Sequence, residues 1–372
     1  MTDTIQCRWN LATTVEEFTA LQPEWETLFN SNAAHSPFLT WGWTDAWLRH
    51  LAGPHELRIL EGRDESGRLA LLLPLVKRPG NRIPWINTCG YGPDSSDHLG
   101  AIHRPELHRN LPDLIAQGIA SSFKKDQRFC LANLGTLDQL PQNIASSLGR
   151  SRRRHTIVGL SPCPATQLPG SVEEFYLGLS KNFRSQIRRQ HRKVLQAEDT
   201  AFRRYENLNT EAFVEALIRL NRARLAAKGD RSSLEDERFC QFMYDATDYM
   251  AQTGRAWMDA VESDGRIIGA ALNFIHGNTV SYYMGGIEPE NSGLSPGNAL
   301  FATVIERAIQ EEFQTYDFLR GSEPYKYRWG ATDVVDVSIN VYPDSLVTGM
   351  IPWLVDSARI AARKLGRRLK SL

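Results

Sequence analysis

One order of elements dominates the second half of this 372-residue chain and restricts what it can fold into: three strands, a helix and a further strand. Apolar and polar residues alternate over 256–262, and the Ser-Asp-Gly of 263–265 is typical of a hairpin turn. The expected strands are 256–262, 266–275, 279–285 and 316–320, and the expected helix is 297–313. The sequence therefore predicts an α/β (α+β) domain with a mixed, mostly antiparallel sheet flanked by helices.

The first half repeats the same order. Ser66-Gly67-Arg68 precedes an apolar strand there, as Asp264-Gly265-Arg266 does in the second half. The expected strands are 56–61, 68–76, 83–88 and 128–134, and the expected helix is 111–123. Because the order recurs, the sequence predicts two tandem copies of one domain.

A proline-rich segment separates the two copies. Residues 151–170 contain Pro162, Pro164 and Pro169, and proline is not expected to continue a helix or a central strand. The expected domains are 1–160, 161–345 and a basic amphipathic C-terminal helix at 346–372.

Composition excludes several function classes. The 43 Lys and Arg residues balance 43 Asp and Glu residues, so the whole chain offers no long-range attraction to DNA. Five cysteines form no CxxC pair, which favours reduced thiols and a cytoplasmic location. Nine histidines lack metal-ligand spacing, so no metal site is expected. The nucleotide, dinucleotide and HExxH signatures are also missing from the sequence.

The end of the chain alternates apolar and basic residues over 351–372. Trp353, Leu354 and Ile360 fall among Arg359 and Arg363, as in a basic amphipathic helix. The segment fits either a terminal helix packed on the body or peripheral contact with the inner membrane. The sequence contains no run of about 18 apolar residues that would predict a membrane span.

A second basic segment follows the proline-rich boundary. Lys181, Arg184, Arg188 and Arg192 recur at helical spacing with no carboxylate among them. The row fits a phosphate-binding face, for a nucleotide, a lipid-linked sugar diphosphate or RNA, or an ordinary solvated face. RNA binding also needs stacking aromatics, and the segment contains only Phe183, which weakens that interpretation.

The GLSPG of residues 293–297 matches the G-x-S-x-G nucleophile elbow of hydrolases. In that elbow the residue after the serine supplies a backbone N–H to the oxyanion hole, but here it is Pro296. The same letters favour a helix start with Ser295 as N-cap, which would leave the N–H groups of Gly297 and Asn298 available to an anion. The segment is therefore either a plain cap or an anion site.

Three segments together resemble a known family. The first is the basic segment LSKNFRSQIRRQHRKVL, the second is the helix start SPGNALFATVIERAIQ, and the third is YDFLRGSEPYKYRWGA, with the pattern D-F-x-x-G-x-E-x-Y-K-x-x-W-G. Together they are similar to the basic helix, the S-P-G helix start and the corresponding later segment of GNAT-fold acyltransferases of the Fem and cellulose-biosynthesis CelD type. Residues 171–342 carry the likeness. The first half resembles the family more loosely, through PFLTWGWTDAW at residues 37–47, and tandem GNAT domains in Fem ligases agree with the duplication.

The resemblance implies an N-acyltransferase of polysaccharide or cell-envelope biosynthesis. Its donor would be an acyl-CoA co-substrate or, as second choice, an aminoacyl-tRNA, and its acceptor an amine such as an amino sugar or nucleotide sugar. No tightly bound cofactor is expected. One departure concerns coenzyme A, because Glu290 stands where typical acetyl-CoA-dependent members have a cation or amide.

The resemblance also implies site residues, whose chemistry suits amine attack on an ester, since that reaction needs a base, an oxyanion donor and an acid. The expected catalytic residues are Glu323, Tyr325 and Lys326, and the expected donor-binding residues are Gly293, Ser295, Gly297 and Asn298. The expected substrate-binding residues are Lys181, Arg184, Arg188, Arg320 and Trp329. Each also has a structural reading, as core packing, a surface ion pair or a cap.

Two function classes stay open at this point. One is an acyltransferase in the second copy that moves groups other than aminoacyl groups by preference. The other is a non-catalytic scaffold partner of polysaccharide-synthesis enzymes. Residues 130–139 of the first copy lack the Glu-x-Tyr-Lys set, so that copy is expected to be structural or acceptor-binding.

Overall fold

The computed structural model describes residues 7–78, 85–92, 96–135, 140–150 and 152–358. The strands are β1 Arg8–Ala12, β2 Glu56–Leu57, β3 Ile59–Arg63, β4 Leu69–Leu73, β5 Leu75–Arg78, β6 Trp85–Thr88, β7 Ile102–His103, β8 Arg128–Gly135, β9 His155–Gln167, β10 Thr200–Tyr205, β11 Ala256–Ser263, β12 Arg266–His276, β13 Thr279–Ile287, β14 Thr315–Asp317 and β15 Thr332–Val341.

The α-helices are α1 Val15–Ala20, α2 Gln22–Asn30, α3 Trp41–His50, α4 Leu111–Ser122, α5 Leu140–Arg150, α6 Val172–Gly178, α7 Lys181–Gln196, α8 Thr210–Ala226, α9 Glu237–Gln252, α10 Pro296–Gln310 and α11 Pro324–Arg328. Across these described ranges, no helix combines the length and apolar character needed to cross a bilayer.

The described residues cluster into two compact units. The first unit comprises residues within 1–44, 52–161 and 335–372, and the second comprises 45–51 and 162–334. The expected first and second domains were continuous blocks, and they differ from the units at 45–51, at 161 and at 335–345. Residues 336–341 belong to the first unit because they pair with β8. The expected roles of the two domains stay predictions.

The second unit contains an antiparallel meander. β10, β11, β12 and β13 pair in that order, and β14 then joins β13 in parallel. Helix α10 connects the last two strands and packs Leu300, Val304 and Ile305 into the core beside the sheet. The expected order of three strands, helix and strand is therefore confirmed.

The first unit shows the same order in a modified form. The first two expected strands are each interrupted, at Arg58 and at Pro74, which has no N–H to continue a ladder. The parts next to the hairpin turn, β3 and β4, form a four-stranded sheet with β1 and β7. The parts far from the turn, β2 and β5, pair with each other beside β6. Strand β6 pairs with β8 in parallel across helix α4, as β13 does with β14. The predicted fold class, with mixed and mostly antiparallel sheets flanked by helices, is confirmed.

The expectation that the proline-rich segment breaks strand structure is wrong. Residues His155–Gln167 form the 13-residue strand β9, which contains Pro162 and Pro164. In the second unit these prolines contribute only carbonyl oxygens, which accept hydrogen bonds from the backbone N–H groups of Gly321 and Phe318. A strand tolerates proline where the ladder requires no donor from it.

The expected C-terminal helix is described only in part. Residues Leu346–Met350 form one turn of π-helix, and residues 351–358 continue as a helix. The rest of the expected helix, 359–372, lies outside the described residues.

Candidate functional site

A cavity of about 350 Å³ lies in the second unit, where β13 continues beyond its partner. Strand β14 pairs with β13 only from Thr279 to Ser281, whereas β13 runs on to Ile287. A parallel neighbour that ends early leaves a gap beside the longer strand. The first turn of α10, the later part of β13, helix α8 and Tyr325 line this cavity.

Two glycines of β13 allow α8 to lie unusually close to the strand. A Cβ atom on Gly286 would lie 2.5 Å from the backbone nitrogen of Asn221 and 2.6 Å from Leu220 Cβ. The Asn221 side chain donates a hydrogen bond of 3.0 Å to the carbonyl oxygen of Gly285. The close approach therefore fixes the part of α8 that precedes Arg224.

Helix α8 brings two cations to the cavity, Arg224 and, just beyond the helix end, Lys228. Arg224 is half-buried, and its Nε atom is buried without a hydrogen-bond partner among the described residues. A buried guanidinium N–H without an acceptor is costly unless a ligand supplies one. The pair thus forms a candidate anion-binding wall.

The N-terminus of α10 also lines the cavity. Ser295 is the N-cap, with the left-handed angles φ 55° and ψ 49°, and Pro296 follows at the first helical position. Its hydroxyl does not cap the helix; Ser295 Oγ accepts a hydrogen bond of 2.9 Å from Gln190 Nε2. Gly297 and Asn298 line the cavity with first-turn N–H groups that have no acceptor within the helix. Such a helix end favours an anion.

Two phenols also line the cavity. Burial raises the pKa of Tyr282 to about 12, and the charge of Glu323 adds to that rise. Burial likewise raises the pKa of Tyr325 well above its usual range. Both hydroxyls are therefore protonated at neutral pH and act as hydrogen-bond donors rather than as bases. The ring of Phe301 contacts both rings, at centroid distances of 4.7 Å and 5.7 Å.

Lys326 does not line the cavity. Only 3% of it is exposed, and its Nζ donates to the carbonyl oxygens of Leu319, Arg320 and Gly321 at 3.1, 2.7 and 3.1 Å. Glu323 Oε2 lies 2.9 Å from the same nitrogen. Through these contacts the ammonium group stabilises the turn that leads into α11. Its expected catalytic role stays untested, and the contacts favour a positioning role.

The remaining residues of the YDFLRGSEPYKYRWGA segment divide between surface and core. Glu323 is exposed over 54% of its side chain and contributes to the raised pKa of both Tyr282 and Tyr325, so it lies within electrostatic reach of the cavity. Arg320 is half-buried outside the cavity lining. Trp329 is fully buried and contacts Phe301 from the core side, so it supports the cavity indirectly.

The basic helix α7 lies outside the cavity lining. Lys181 and Arg188 are exposed, whereas Arg184 is half-buried and donates to the carbonyl oxygen of Tyr176 at 3.1 Å. Within the described part of the chain, no carboxylate forms an ion pair with Lys181, Arg188 or Arg192. Of the expected donor-binding residues, Ser295, Gly297 and Asn298 line the cavity and Gly293 does not.

Sequence reasoning missed Tyr282, Arg224 and Lys228. Adjacent glycines inside a strand indicate a close backbone approach, so Gly285-Gly286 was a readable signal for a neighbouring helix. Arg224 gave no comparable signal, because it stands among the other charged residues of α8.

The comparisons with known proteins agree on the fold. Residues 181–327 match the family model described as an acetyltransferase (GNAT) domain. Comparison with curated protein sequences gives no match.

Three solved structures resemble the chain at low sequence identity. FemX has 12% identity and a TM-score of 0.60, over 86% of this chain and 95% of its own. The C-terminal domain of a putative lysylphosphatidylglycerol synthetase from Agrobacterium fabrum has 11% identity and a TM-score of 0.55, over 87% of this chain and 92% of its own. L-PGS from Bacillus licheniformis has 10% identity and a TM-score of 0.53, over 93% of this chain and 96% of its own.

These comparisons support part of the expected resemblance. They agree with the GNAT fold and with a FemX-like architecture, but they do not bear on the CelD type, and they do not support the expected preference for groups other than aminoacyl groups. The cavity residues from Arg224 to Tyr325 all fall inside the matched range. Residues 181–327 thus match the acetyltransferase (GNAT) domain, and the chain has the fold of FemX and of the lysylphosphatidylglycerol synthetase domain.

Proposed function

We propose that the second unit transfers an acyl group from an activated donor, a thioester or an aminoacyl ester, to an amine. The observation that carries the proposal is the composition of one cavity. It combines the guanidinium of Arg224, whose Nε has no hydrogen-bond partner among the described residues, with a helix start at Pro296 that lacks a side-chain cap. Two protonated phenols, on Tyr282 and Tyr325, complete the set.

The two cations and the helix start suit the anionic portion of the donor. Coenzyme A and tRNA both carry phosphates, and the guanidinium of Arg224 and the ammonium of Lys228 would bind them by charge-assisted hydrogen bonds. The N–H groups of Gly297 and Asn298 would add donors aligned with the helix dipole. Glu290 is exposed and outside the cavity lining, so an acid in that loop is compatible with a phosphate on the α10 side.

The phenols suit the reacting carbonyl. As the amine nitrogen attacks, a C–N bond forms and negative charge develops on the carbonyl oxygen. A hydroxyl that stays protonated, such as that of Tyr325 or Tyr282, can stabilise this oxygen by donating a hydrogen bond. The bond from the carbonyl carbon to sulfur or oxygen then breaks. We assign Glu323 as the group that takes the proton from the amine and returns it to the leaving atom.

Lys326 is assigned a positioning role in this scheme. Its contacts with three carbonyl oxygens fix the turn immediately before Tyr325. Exposed Lys181 and Arg188 on α7 remain candidates for binding a phosphate of the acceptor. An amino sugar or a nucleotide sugar used in polysaccharide or cell-envelope synthesis is the acceptor class that we propose.

The donor class is the first point to test. FemX and lysylphosphatidylglycerol synthetase are similar in fold, and the second of these names describes aminoacylation of a phospholipid. An aminoacyl donor is therefore tested beside acyl-CoA donors. Native mass spectrometry of the full chain with acyl-CoAs, aminoacyl-tRNAs and nucleotide sugars should give a complex with one donor class. That complex should weaken in Arg224→Gln and persist in Arg192→Gln. Equal weakening in both variants, or no complex, would contradict the assignment.

A further inference from the structure

The described end of the first unit is helical and is fastened to that unit by polar contacts. Trp353 Nε1 donates a hydrogen bond of 3.1 Å to the carbonyl oxygen of His155. Asp356 accepts a hydrogen bond of 2.6 Å from the Tyr342 hydroxyl and lies 3.6 Å from Arg128. One face of residues 346–358 therefore packs against the unit through an indole and a carboxylate.

The opposite face is aliphatic and exposed. Its side chains have the following exposed fractions: Leu346 60%, Val347 66%, Ile351 49%, Leu354 51% and Val355 42%. These are five of the eleven large hydrophobic residues that are exposed among the described residues, and they fall within ten positions. Exposed aliphatic residues scattered singly need no explanation, whereas a contiguous patch marks a surface for binding.

This orientation is the reverse of an ordinary surface helix. An amphipathic helix at the surface of a globular protein buries its apolar face and exposes its polar face. Here the groups that form hydrogen bonds, Trp353 and Asp356, face the protein, and the aliphatic groups do not. Burying that face against another apolar medium would remove it from water, which is favourable in proportion to the apolar area buried.

The sequence directly after this patch is strongly cationic. Residues 359–372 contain no Asp or Glu, and their cations are Arg359, Arg363, Lys364, Arg367, Arg368 and Lys370. The chain as a whole has a formal charge of zero, so the excess is local. Six like charges beside the patch oppose its pairing with a second copy of this chain, and they favour an anionic surface.

We propose that the exposed aliphatic face of residues 346–358 binds the surface of an anionic phospholipid bilayer. The aliphatic patch of Leu346, Val347, Ile351, Leu354 and Val355 enters the boundary between headgroups and acyl chains. The positive charge of the sequence that follows would favour anionic lipids over neutral ones. Trp353 and Asp356 fix the orientation of the first unit on the membrane. The enzyme proposed above would then act on an acceptor at or near that surface.

Vesicle co-sedimentation of the full chain tests this proposal. Vesicles of phosphatidylcholine with about 30% phosphatidylglycerol should retain the protein, neutral phosphatidylcholine vesicles should not, and about 1 M salt should weaken the binding. Leu354→Ser with Val355→Ser should lower the affinity by about tenfold or more, because two inserted aliphatic side chains are lost. Both positions are exposed, so the melting temperature should stay unchanged.

The matched control is Leu208→Ser, which removes a leucine that is 93% exposed and lies in the second unit. It should leave vesicle binding unchanged. The proposal is overturned if anionic vesicles do not retain the wild type, if Leu208→Ser and the double variant lose binding equally, or if the wild type is a dimer that Ile351→Ser dissociates. None of these outcomes bears on acyl transfer in solution.

Discussion

Lys326 Nζ lies 2.7 Å from the carbonyl oxygen of Arg320, in a turn that the same ammonium holds by two further carbonyl contacts. The turn has an unusual backbone, because Leu319 and Gly321 have φ angles of 55° and 116°. Tyr325 follows at the start of α11 and reaches the cavity. The lysine therefore stabilises the local backbone that presents the phenol.

Replacing Lys326 by methionine should lower the free energy of unfolding by about 2 kcal/mol or more, since three carbonyl oxygens lose a charged donor. Urea unfolding followed by tryptophan fluorescence measures this. Lys193→Met is the matched control, because Lys193 is exposed and contacts a single carbonyl oxygen, that of Gly293. Its effect should stay within about 0.5 kcal/mol. A loss of activity in Lys326→Met with full stability would instead favour a catalytic role.

Gly286→Ala should destabilise the second unit by about 1–3 kcal/mol, because the new methyl group would overlap backbone atoms of Leu220 and Asn221 on α8. Displacing α8 should also weaken donor binding at Arg224. Thermal unfolding and donor titration measure the two effects. Gly170→Ala is the control, since a Cβ there meets open space. Equal melting temperatures for the two variants would mean that α8 does not depend on this close contact.

Much of the fold could be predicted from the sequence, because local patterns determine it. The hairpin at 263–265 and the helix after Pro296 follow from turn chemistry and periodicity, and the structure has both. The strand through Pro162 and Pro164 could not be predicted, because it depends on tertiary structure. The backbone N–H groups of Gly321 and Phe318 donate hydrogen bonds to the carbonyl oxygens of these prolines.

The candidate site was predicted less completely. Ser295, Gly297, Asn298 and Tyr325 come from motifs that are local in sequence, and all four line the cavity. Arg224 lies on α8, and the close approach of α8 to the cavity depends on the absence of a side chain at Gly286. The expected catalytic role of Lys326 stays a prediction. The sequence does not show the direction of this long side chain, because the turn that it closes sets that direction.

Alkaline pH should destabilise the wild type more than Tyr282→Phe. The pKa of Tyr282 is about 12 in the folded chain and about 10 in an unfolded one, so the phenol favours folding below pH 10 and that contribution is lost as the pH rises toward 12. Between pH 9 and pH 11 the unfolding free energy of the wild type should fall by about 1 kcal/mol more than that of the variant. Urea unfolding at both values measures this, and parallel losses would place the hydroxyl in water.

The α7 cations should affect acceptor binding rather than stability. Arg188→Gln with Arg192→Gln should weaken binding of UDP-glucosamine, a nucleotide sugar with a free amine, and reduce its salt dependence. The melting temperature should barely change, because both residues are exposed. Arg184→Gln should instead cost about 1 kcal/mol of stability, since its hydrogen bond to Tyr176 is lost. Isothermal titration at two salt concentrations checks the binding. Unaltered affinity would mean that these α7 cations form only a solvated surface.

The central claim is that the cavity lined by Arg224 and Tyr325 performs acyl transfer. Its most direct test is the steady-state rate of transfer to amino sugars and UDP-glucosamine from the donor that native mass spectrometry selects. Tyr325→Phe should lower kcat by about 10²-fold with an unchanged melting temperature, because one oxyanion donor is removed. Arg224→Gln should raise the KM for the donor, while Arg192→Gln leaves it unaltered. Transfer at the wild-type rate in both Tyr325→Phe and Arg224→Gln, or no transfer from any donor, would contradict the account and leave the non-catalytic scaffold.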